Sequence, residues 1–305
     1  MVNKKLLIIY IVLLTTIIKT FALQIEKVSK NTYATFGKTG LPSKENGGFI
    51  SNAYGVLTNE GWVVIDSFSS PKLAKQFIKQ LKNIKNIPVK YLIITHYHLD
   101  HSFGMSAYKE AKIVAHKNLK KDIQNSNMEN YKEMLNKTFD NLFKNVEFLN
   151  INIPIDKKTS IKVGNLTFEI FPLPNTHTHT DILIYIPETK ELFAGDIVFY
   201  NRIPFIGDKH SNSKNWLKVL KQIKKMEISK IYNGHNKPLD KKAIKFTYEY
   251  ISFLRNEISR LKDEGLFYDE IKEKLNNNKW RKYPMFKEFH NKNIYKIFND
   301  LDFEF

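Results

Sequence analysis

The chain has 305 residues, of which 42% are hydrophobic and 13% aromatic, a composition that supports a buried core and excludes a disordered protein. It contains no cysteine, which excludes disulfides and thiolate ligands, so any metal must be held by His, Asp or Glu. The formal net charge is +17, but the lysines are mixed with acids along the chain. This distribution favours a solvated basic surface over a nucleic-acid interface.

The N-terminus has the features of a targeting segment. Lys4 and Lys5 precede an apolar stretch over residues 6–18, and Thr20-Phe21-Ala22 offers a small-x-small cleavage site. The stretch is short for a membrane-spanning helix, which needs about 20 apolar residues. We therefore predict a cleaved signal peptide over residues 1–22, with a retained anchor as the alternative. Export without cysteine suits a periplasmic or secreted protein that touches a membrane only through an uncleaved signal.

Apolar periodicity and turn signals predict strands and helices in alternation. The first half is predicted to contain opening β structure over 23–66 with a buried strand at Trp62–Ile65, a helix at Pro71–Asn86, a buried strand at Tyr91–Ile94, a short helix over 101–110, a strand at Lys112–Ala115 and a charged, lid-like helical excursion over 117–145.

The second half repeats this alternation. Its predicted elements are strands at Asn150–Ile155, Ser160–Val163 and Leu166–Phe171, a hairpin of Ile182–Ile186 and Glu191–Ala194, a helix at Asn215–Met226, a strand at Lys230–Tyr232 and helices from Lys241 to the end. Because strands and helices recur in two halves, we expect an α/β fold with two sheets between layers of helices.

The segment 95–101, with the sequence THYHLDH, directly follows a predicted buried strand. Its three imidazoles and one carboxylate suit zinc and, less selectively, iron or manganese. On an extended chain His96 and His98 lie on one side of the strand. Asp100 and His101 come where the chain turns into a helix, so they can face a second metal.

Three later motifs also place His or Asp beside predicted strands. PNTHTHTD at 174–181 precedes a strand, whereas FAGD at 193–196 and NGHN at 233–236 each follow one. Side chains at the ends of neighbouring strands can converge at one edge of a sheet. The motifs therefore predict one metal site built from all four segments.

The ordered set of HxHxDH, His, Ala-Gly-Asp and Gly-His resembles the pattern of the metallo-β-lactamase superfamily, over about residues 25–240. This resemblance implies an αββα sandwich over residues 23–240 and a helical C-terminal extension, 241–305, packed on the same domain. It also implies two Zn²⁺ ions at the sheet edges, with iron or manganese as possible substitutes. The implied ligands are His96, His98 and His177 for one ion, Asp100, His101 and His235 for the other, and Asp196 bridging both.

Asp196 and the residues that follow it indicate which members of the superfamily the sequence resembles most. Members with β-lactamase activity usually carry Cys or Ser at this position, whereas a bridging Asp resembles glyoxalase II, lactonases, arylsulfatases and nucleases. Ala194–Phe199 followed by Arg202-Ile203-Pro204, together with the aromatic helical tail, resembles the periplasmic zinc metallohydrolases encoded with quinoprotein dehydrogenase and sulfur-oxidation systems.

The implied activity is hydrolysis of an ester, thioester, lactone or related bond in a small molecule by a metal-bridging hydroxide. Asp196 would hold both ions, and Asp100 could take a proton as the intermediate collapses. The alternatives are a mononuclear iron oxygenase of the persulfide-dioxygenase type, a β-lactamase, and a metal- or solute-binding protein without turnover. A nuclease is disfavoured because the chain carries an export signal.

Further residues are weaker candidates. His177 and His179 compete for one ligand position, and the resemblance, counted back from the following strand and its Ile186-Pro187 end, implies His177 as the ligand. Asp66 is either an outer partner of a ligand ring or a turn residue, and His116 is either near the site or a satisfied structural histidine. The candidates for the substrate pocket are Tyr97, His179, Tyr200 and Arg202. Tyr97 either points to the mouth of the pocket or packs beneath it, and His179 either lines the pocket or supports a ligand. Arg202 pairs with an anionic substrate group or with a structural acid.

Overall fold

The computed structural model describes residues 23–125, 133, 135–137, 139, 143, 145–237 and 240–303. The predicted signal peptide at 1–22 lies outside the described residues, as does part of the predicted excursion over 117–145. Within these ranges, no helix combines the length and the apolar character that crossing a bilayer requires.

The first sheet has seven strands in the order of the chain. They are β1 (Glu26–Lys27), β2 (Thr32–Thr35), β3 (Ala53–Leu57), β4 (Trp62–Ile65), β5 (Val89–Ile94), β6 (Lys112–His116) and β7 (Ile153–Ile155). Strands β1 to β4 pair antiparallel, and β4 to β7 pair parallel. Parallel pairs need crossovers, which contain α1 (Pro71–Ile84), α2 (Leu99–Ser102) and α3 (Leu119–Asn125).

The second sheet has five strands in the order β12-β11-β10-β9-β8. They are β8 (Thr159–Val163), β9 (Leu166–Pro172), β10 (Ile182–Ile186), β11 (Glu191–Gly195) and β12 (Lys230–Asn233). Only β11 and β12 pair parallel, and α4 (Ser213–Lys225) connects them. The C-terminal part contains α5 (Lys242–Asp263), α6 (Tyr268–Leu275) and α7 (Phe286–Leu301).

Strand β4 shows how the layers form, because its side chains alternate between two cores. Val63 and Ile65 lie in the apolar core between the two sheets, with Phe168 and Phe193 of the second sheet. Trp62 and Val64 lie in the core between the first sheet and α1. A third core joins the outer face of the second sheet to α4 and the C-terminal helices. The fold is therefore the predicted sandwich of two mixed sheets flanked by helices.

The strands and helices mostly follow the prediction, with two differences. The helix predicted over 101–110 is two short ones, because α2 begins at Leu99 and a separate 3₁₀ turn follows at Met105–Tyr108. The strand predicted at Asn150–Ile155 is confined to β7, since only Ile153–Ile155 pair with β6. The earlier start of α2 places Asp100 in its first turn, next to the strand that ends before it.

Candidate metal centre

Seven predicted ligands lie together where strands of both sheets end. They come from the turn after β5 (His96 and His98), from α2 (Asp100 and His101), from the loop before β10 (His177), from the end of β11 (Asp196) and from the turn after β12 (His235). Their nitrogen and oxygen donors form three overlapping groups, and within each group the donors lie within 4.8 Å of one another. We call these seven residues the metal centre.

The first donor set consists of His96, His98 and His177. His98 Nδ1 lies 3.0 Å from His177 Nε2, and the three rings meet edge to face. The hydroxyl of Thr95 donates its hydrogen to Asp66, and His96 Nδ1 lies 3.0 Å from the same hydroxyl oxygen. His96 Nδ1 must therefore carry a hydrogen and donate it to Thr95 Oγ1, which leaves a lone pair on His96 Nε2. Burial lowers the pKa of His96, and burial beside His98 lowers the pKa of His177 to about 3. Neutral rings of this kind can bind a metal.

The second donor set consists of Asp100, His101 and His235. Asp100 Oδ2 lies 3.5 Å from Nε2 of His101 and 3.5 Å from Nε2 of His235. His235 Nδ1 donates to the carbonyl of Ile50 at 2.8 Å, which leaves Nε2 as its free donor atom. The set thus presents one carboxylate and two imidazole nitrogens to a common point.

Asp196 contacts members of both donor sets. Its Oδ1 lies 3.5 Å from His101 Nε2, and its Oδ2 lies 3.1 Å from His235 Nε2 and 3.6 Å from His177 Nε2. One carboxylate therefore faces both sides of the centre. This is the position that the resemblance assigned to a bridging ligand.

Carboxylates outside the centre orient two of its rings. Asp66 Oδ2 accepts from His101 Nδ1 at 2.8 Å, while its Oδ1 accepts from the backbone N–H of Thr95. The structure thus places Asp66 behind a ligand ring, as one of the two sequence interpretations expected. Asp208 Oδ2 lies 3.1 Å from His98 Nε2 and also accepts from the Tyr97 hydroxyl. The bond of Asp66 to His101 and the bond of Asp208 to His98 each occupy one ring nitrogen and leave the other nitrogen of that ring free for a metal.

Asp208 was missed by sequence reasoning. It lies in the loop between β11 and α4, 110 residues from His98, and no motif marks it. The signal that could have found it is its place in the loop after the Ala-Gly-Asp motif, where an acid can return to the site.

The donor atoms of the centre fit a divalent metal. Among the described residues, His96 Nε2, His101 Nε2 and Asp196 Oδ1 are buried without a hydrogen-bond partner. Leaving such atoms unpaired costs roughly 1–3 kcal/mol each, and more for a charged group. A cation held by these donors would remove that cost, and imidazole with carboxylate is a donor set that zinc accepts.

Backbone packing at Gly234 brings the carboxylate and a ring together. A Cβ atom at this position would lie 2.0 Å from Asp196 Oδ1 and 2.7 Å from His101 Cε1. Only glycine leaves the space for these two side chains. Gly234 is therefore part of the shape of the metal centre.

The weaker candidates are distributed around the centre. His179 is turned away from it, with Nδ1 3.0 Å from Asp122, and His116 Nδ1 accepts from the N–H of Asn118. Tyr97 is buried beneath the ligand rings through its bond to Asp208. The structure thus groups His177, but not His179, with the ligands.

Tyr200 and Arg202 follow Asp196 in the chain. Tyr200 is half-buried, and its ring packs against Phe246 at 5.7 Å between centroids. Arg202 is only 3% exposed, and its Nε and Nη1 have no hydrogen-bond partner among the described residues. Its guanidinium lies over the Phe289 ring at 6.0 Å, and burial lowers its pKa.

Residues 46–235 match the sequence profile of the metallo-beta-lactamase superfamily. The chain belongs to this superfamily. A metallo-beta-lactamase type 2 from Elizabethkingia meningoseptica is 26% identical over 246 residues, which cover 77% of this chain and 87% of the relative. Hydroxyacylglutathione hydrolase 1 from Vibrio vulnificus (strain YJ016) is 26% identical over 204 residues, 63% of this chain and 67% of the relative. A metallo-beta-lactamase type 2 from Bacillus cereus is 27% identical over 181 residues, which cover 59% of this chain and 62% of the relative, less than two thirds of its length.

Solved structures of the superfamily share the fold. A metallo-beta-lactamase from Pontibacter korlensis superposes with a TM-score of 0.61 at 18% identity, over 75% of this chain and 99% of that chain. A sec-alkylsulfatase from Pseudomonas sp. superposes with a TM-score of 0.75 at 15% identity, over 91% of this chain and 50% of that chain. At these identities the likeness supports the αββα architecture alone. The superfamily, its hydrolase-type fold and the His/Asp donor clusters together indicate a divalent-metal protein.

Proposed function

We propose that this protein is an exported hydrolase that uses two zinc ions to cleave an ester, thioester, lactone or related bond in a small molecule. The observation that carries the proposal is the pair of donor sets on either side of Asp196, whose two oxygens face members of both. All seven donors are imidazole nitrogens or carboxylate oxygens, which suit zinc. The names of the relatives are those of hydrolases, which supports this reaction type.

The first donor set would hold one ion and the second donor set the other, with Asp196 in contact with both. When bound, the two ions supply Lewis acidity and lower the pKa of a coordinated water from 15.7 towards about 7. The Asp208 and Asp66 carboxylates keep the rings of His98 and His101 in the tautomer that offers the inner nitrogen.

Asp100 is the side chain that can move a proton in this site. It is 8% exposed, whereas His96 is 1% and His101 0% exposed, so its carboxylate lies nearer the open side of the centre. A carboxylate there can accept a proton from the attacking water and return it to the leaving group. Asp196, which faces histidines on both sides, is committed to holding the ions.

Hydrolysis of β-lactams is the second candidate, because relatives named type 2 metallo-beta-lactamases align with most of the chain. Asp196 argues against it, since members with that activity usually carry Cys or Ser at this position. The test panel therefore needs a β-lactam arm. The mononuclear iron alternative predicts a different metal content and is distinguished by the same preparation.

The proposal is tested with the purified full chain. Metal analysis should give at least two zinc ions per chain. A panel of one ester, one thioester, one lactone and one β-lactam should show zinc-dependent turnover that is lost on chelation and restored by zinc. Asp196→Asn should abolish turnover, while Asp269→Asn should not, because the Asp269 side chain is 88% exposed and remote. One iron per chain, or no activity restored by zinc, would contradict the proposal.

Export predicts that the mature protein begins at Leu23, which mass spectrometry of the exported protein measures.

A further inference from the structure

A second cluster of donor side chains lies beside the metal centre. The chain has nine histidines, and five of them are in the centre. Three of the other four, His116, His179 and His210, lie around the carboxylate of Asp122. The sequence alone left these histidines without a role in common. Their convergence in the fold calls for a physical explanation.

The geometry of this cluster resembles that of the metal centre. The donors of Asp122, His179 and His210 lie within 4.8 Å of one another, as they do in each group of the centre. Asp122 Oδ2 lies 3.0 Å from His179 Nδ1. Zinc ligands with bonds of about 2.0–2.2 Å in a tetrahedral arrangement are separated by roughly 3.3 Å, so this pair already has a suitable spacing. His210 is the third member of the group, with its donor atom within 4.8 Å of the other two.

Burial is arranged as a metal site requires. Asp122 is 4% exposed, whereas the side chain of His179 is 36% exposed and His210 is half-buried. The anionic ligand thus lies at the base of the cluster, and the two imidazoles lie on the solvent side. A cation can reach the carboxylate from solvent and be closed in by the rings.

Asn118 allows His179 to bind a metal through Nδ1. Its amide nitrogen lies 3.3 Å from His179 Nε2, and its backbone N–H donates to His116 Nδ1. Metal ligation at Nδ1 moves the remaining ring proton to Nε2, and the Asn118 carbonyl oxygen can accept it after the amide turns over. One amide therefore supports both the metal-free and the metal-bound tautomer.

We propose that Asp122, His179 and His210 form a third metal site, which binds one divalent cation of the zinc class outside the hydrolytic centre. The two sites are linked, because the backbone N–H of His210 donates to Asp208 Oδ1 at 2.8 Å and Asp208 Oδ2 holds His98. A cation on His210 would therefore fix the short segment that orients a ligand of the centre. The third site explains why a second histidine follows His177 in the motif at 174–181.

The test counts zinc in the full-length protein after saturation and removal of free metal. Wild type should hold one more zinc equivalent than Asp122→Asn and one more than His210→Gln, measured by elemental analysis against protein concentration. Because the readout is a difference of one equivalent, it does not depend on whether the hydrolytic centre holds one ion or two, nor on whether the protein is a hydrolase. Asp269→Asn, at an exposed position, is the control and should keep the wild-type zinc content.

His210→Gln keeps the test decisive if Asp122→Asn fails to fold, since His210 is only half-buried. Circular dichroism spectra of the variants should match wild type. Equal zinc content in wild type and both variants would overturn the proposal. A loss confined to Asp122→Asn would also overturn it, because the site requires His210 as a ligand.

Discussion

Asp208 acts on the metal centre through another side chain. Burial alone would raise the pKa of the Asp208 carboxyl, but hydrogen bonds from His98 and Tyr97 hold it below its usual value. The carboxylate is therefore charged at neutral pH and fixes the ring of His98 with Nδ1 towards the donors of the first set. Asp208 is thus a positioning residue.

Removing this charge should weaken the site. We expect Asp208→Asn to lower zinc affinity at the first donor set by about 10- to 100-fold, the usual range for an outer partner of a ligand histidine. Competition with a chromophoric chelator measures the change. Tyr97→Phe removes the second bond to Asp208 and keeps the one to His98, so it should have a smaller effect. Unchanged affinity in Asp208→Asn would show that the ring is held by packing alone.

Arg202 carries a buried charge whose Nε and Nη1 lack a hydrogen-bond partner among the residues that the structure describes. Methionine has a similar length and carries no charge, so Arg202→Met removes the cost of burying the guanidinium. We expect the free energy of unfolding of the zinc-loaded protein to rise by about 1–2 kcal/mol, in line with replacements of other buried charges. Urea unfolding measures it, with the exposed Arg281→Met as the matched control. A loss of stability would instead favour the structural ion pair.

At the level of elements, the centre depends on tight turns where strands end. Gly234 follows β12, and its backbone packs against the Asp196 carboxylate and the His101 ring. The parallel pairing of β11 with β12 brings this turn to Asp196, which follows β11. The turn therefore sets the distance between the Asp196 carboxylate and the second donor set.

Gly234→Ala should displace the Asp196 carboxylate, because the new methyl group would lie 2.0 Å from Asp196 Oδ1. We expect turnover to fall by at least about 100-fold, since displacements near 1 Å at reacting groups have effects of this size. Steady-state kinetics and zinc content measure the loss. Gly265→Ala is the comparison, because its Cβ meets nothing within 4 Å and only the positive φ of +84° is strained. Gly265→Ala should lower the free energy of unfolding and leave turnover intact. An equal loss of turnover in Gly234→Ala and Gly265→Ala would contradict the steric argument.

Elements with a strong local signal could be predicted from the sequence. The strands β4 and β5, predicted from continuous apolar runs, and the helix α1, predicted from apolar residues at helical spacing, were confirmed, as was the hairpin of β10 and β11. The clustering of the seven ligands also followed from motifs at strand ends. Asp208 and Asp122 could not be predicted as partners of His98 and His179, because they lie 110 and 57 residues away, in the loop between β11 and α4 and in α3. Such contacts depend on how loops fold over the sheets, which local periodicity does not determine.

At the scale of the whole molecule, the C-terminal helices share a core with the second sheet. Residues of α5, α6 and α7 pack in one cluster with Leu192 and Ile231 of β11 and β12. The aromatic residues Phe246, Tyr250 and Trp280 belong to this cluster. Stability of these helices and of the sheet that carries Asp196 should therefore be coupled.

His290 lies at the junction of these helices and gives that coupling a pH dependence. Its Nδ1 accepts from the Tyr250 hydroxyl of α5 at 3.0 Å, and its Nε2 donates to the Leu275 carbonyl of α6 at 2.9 Å. The side chain is 1% exposed, and burial lowers its pKa from 6.5 to about 4. The bond from Tyr250 needs the neutral ring, since a protonated ring cannot accept from the hydroxyl, whereas the bond to Leu275 exists in either state.

The folded state therefore binds the proton of His290 more weakly than the unfolded state does. Below pH 6.5 the unfolded chain gains this proton first, so stability is lost progressively as the pH falls from 6.5 towards 4. The shift in pKa corresponds to a loss of up to about 3 kcal/mol in the free energy of unfolding, at 1.36 kcal/mol per pKa unit.

Urea unfolding of metal-free wild type and of His290→Gln at each pH measures this loss. The difference between the two proteins separates the effect of His290 from that of the histidines of the centre. His290→Gln should be less stable than wild type at pH 7 and should approach it as the pH falls to 4. A constant difference over this range would mean that the pKa of His290 does not change on folding, which would contradict the prediction.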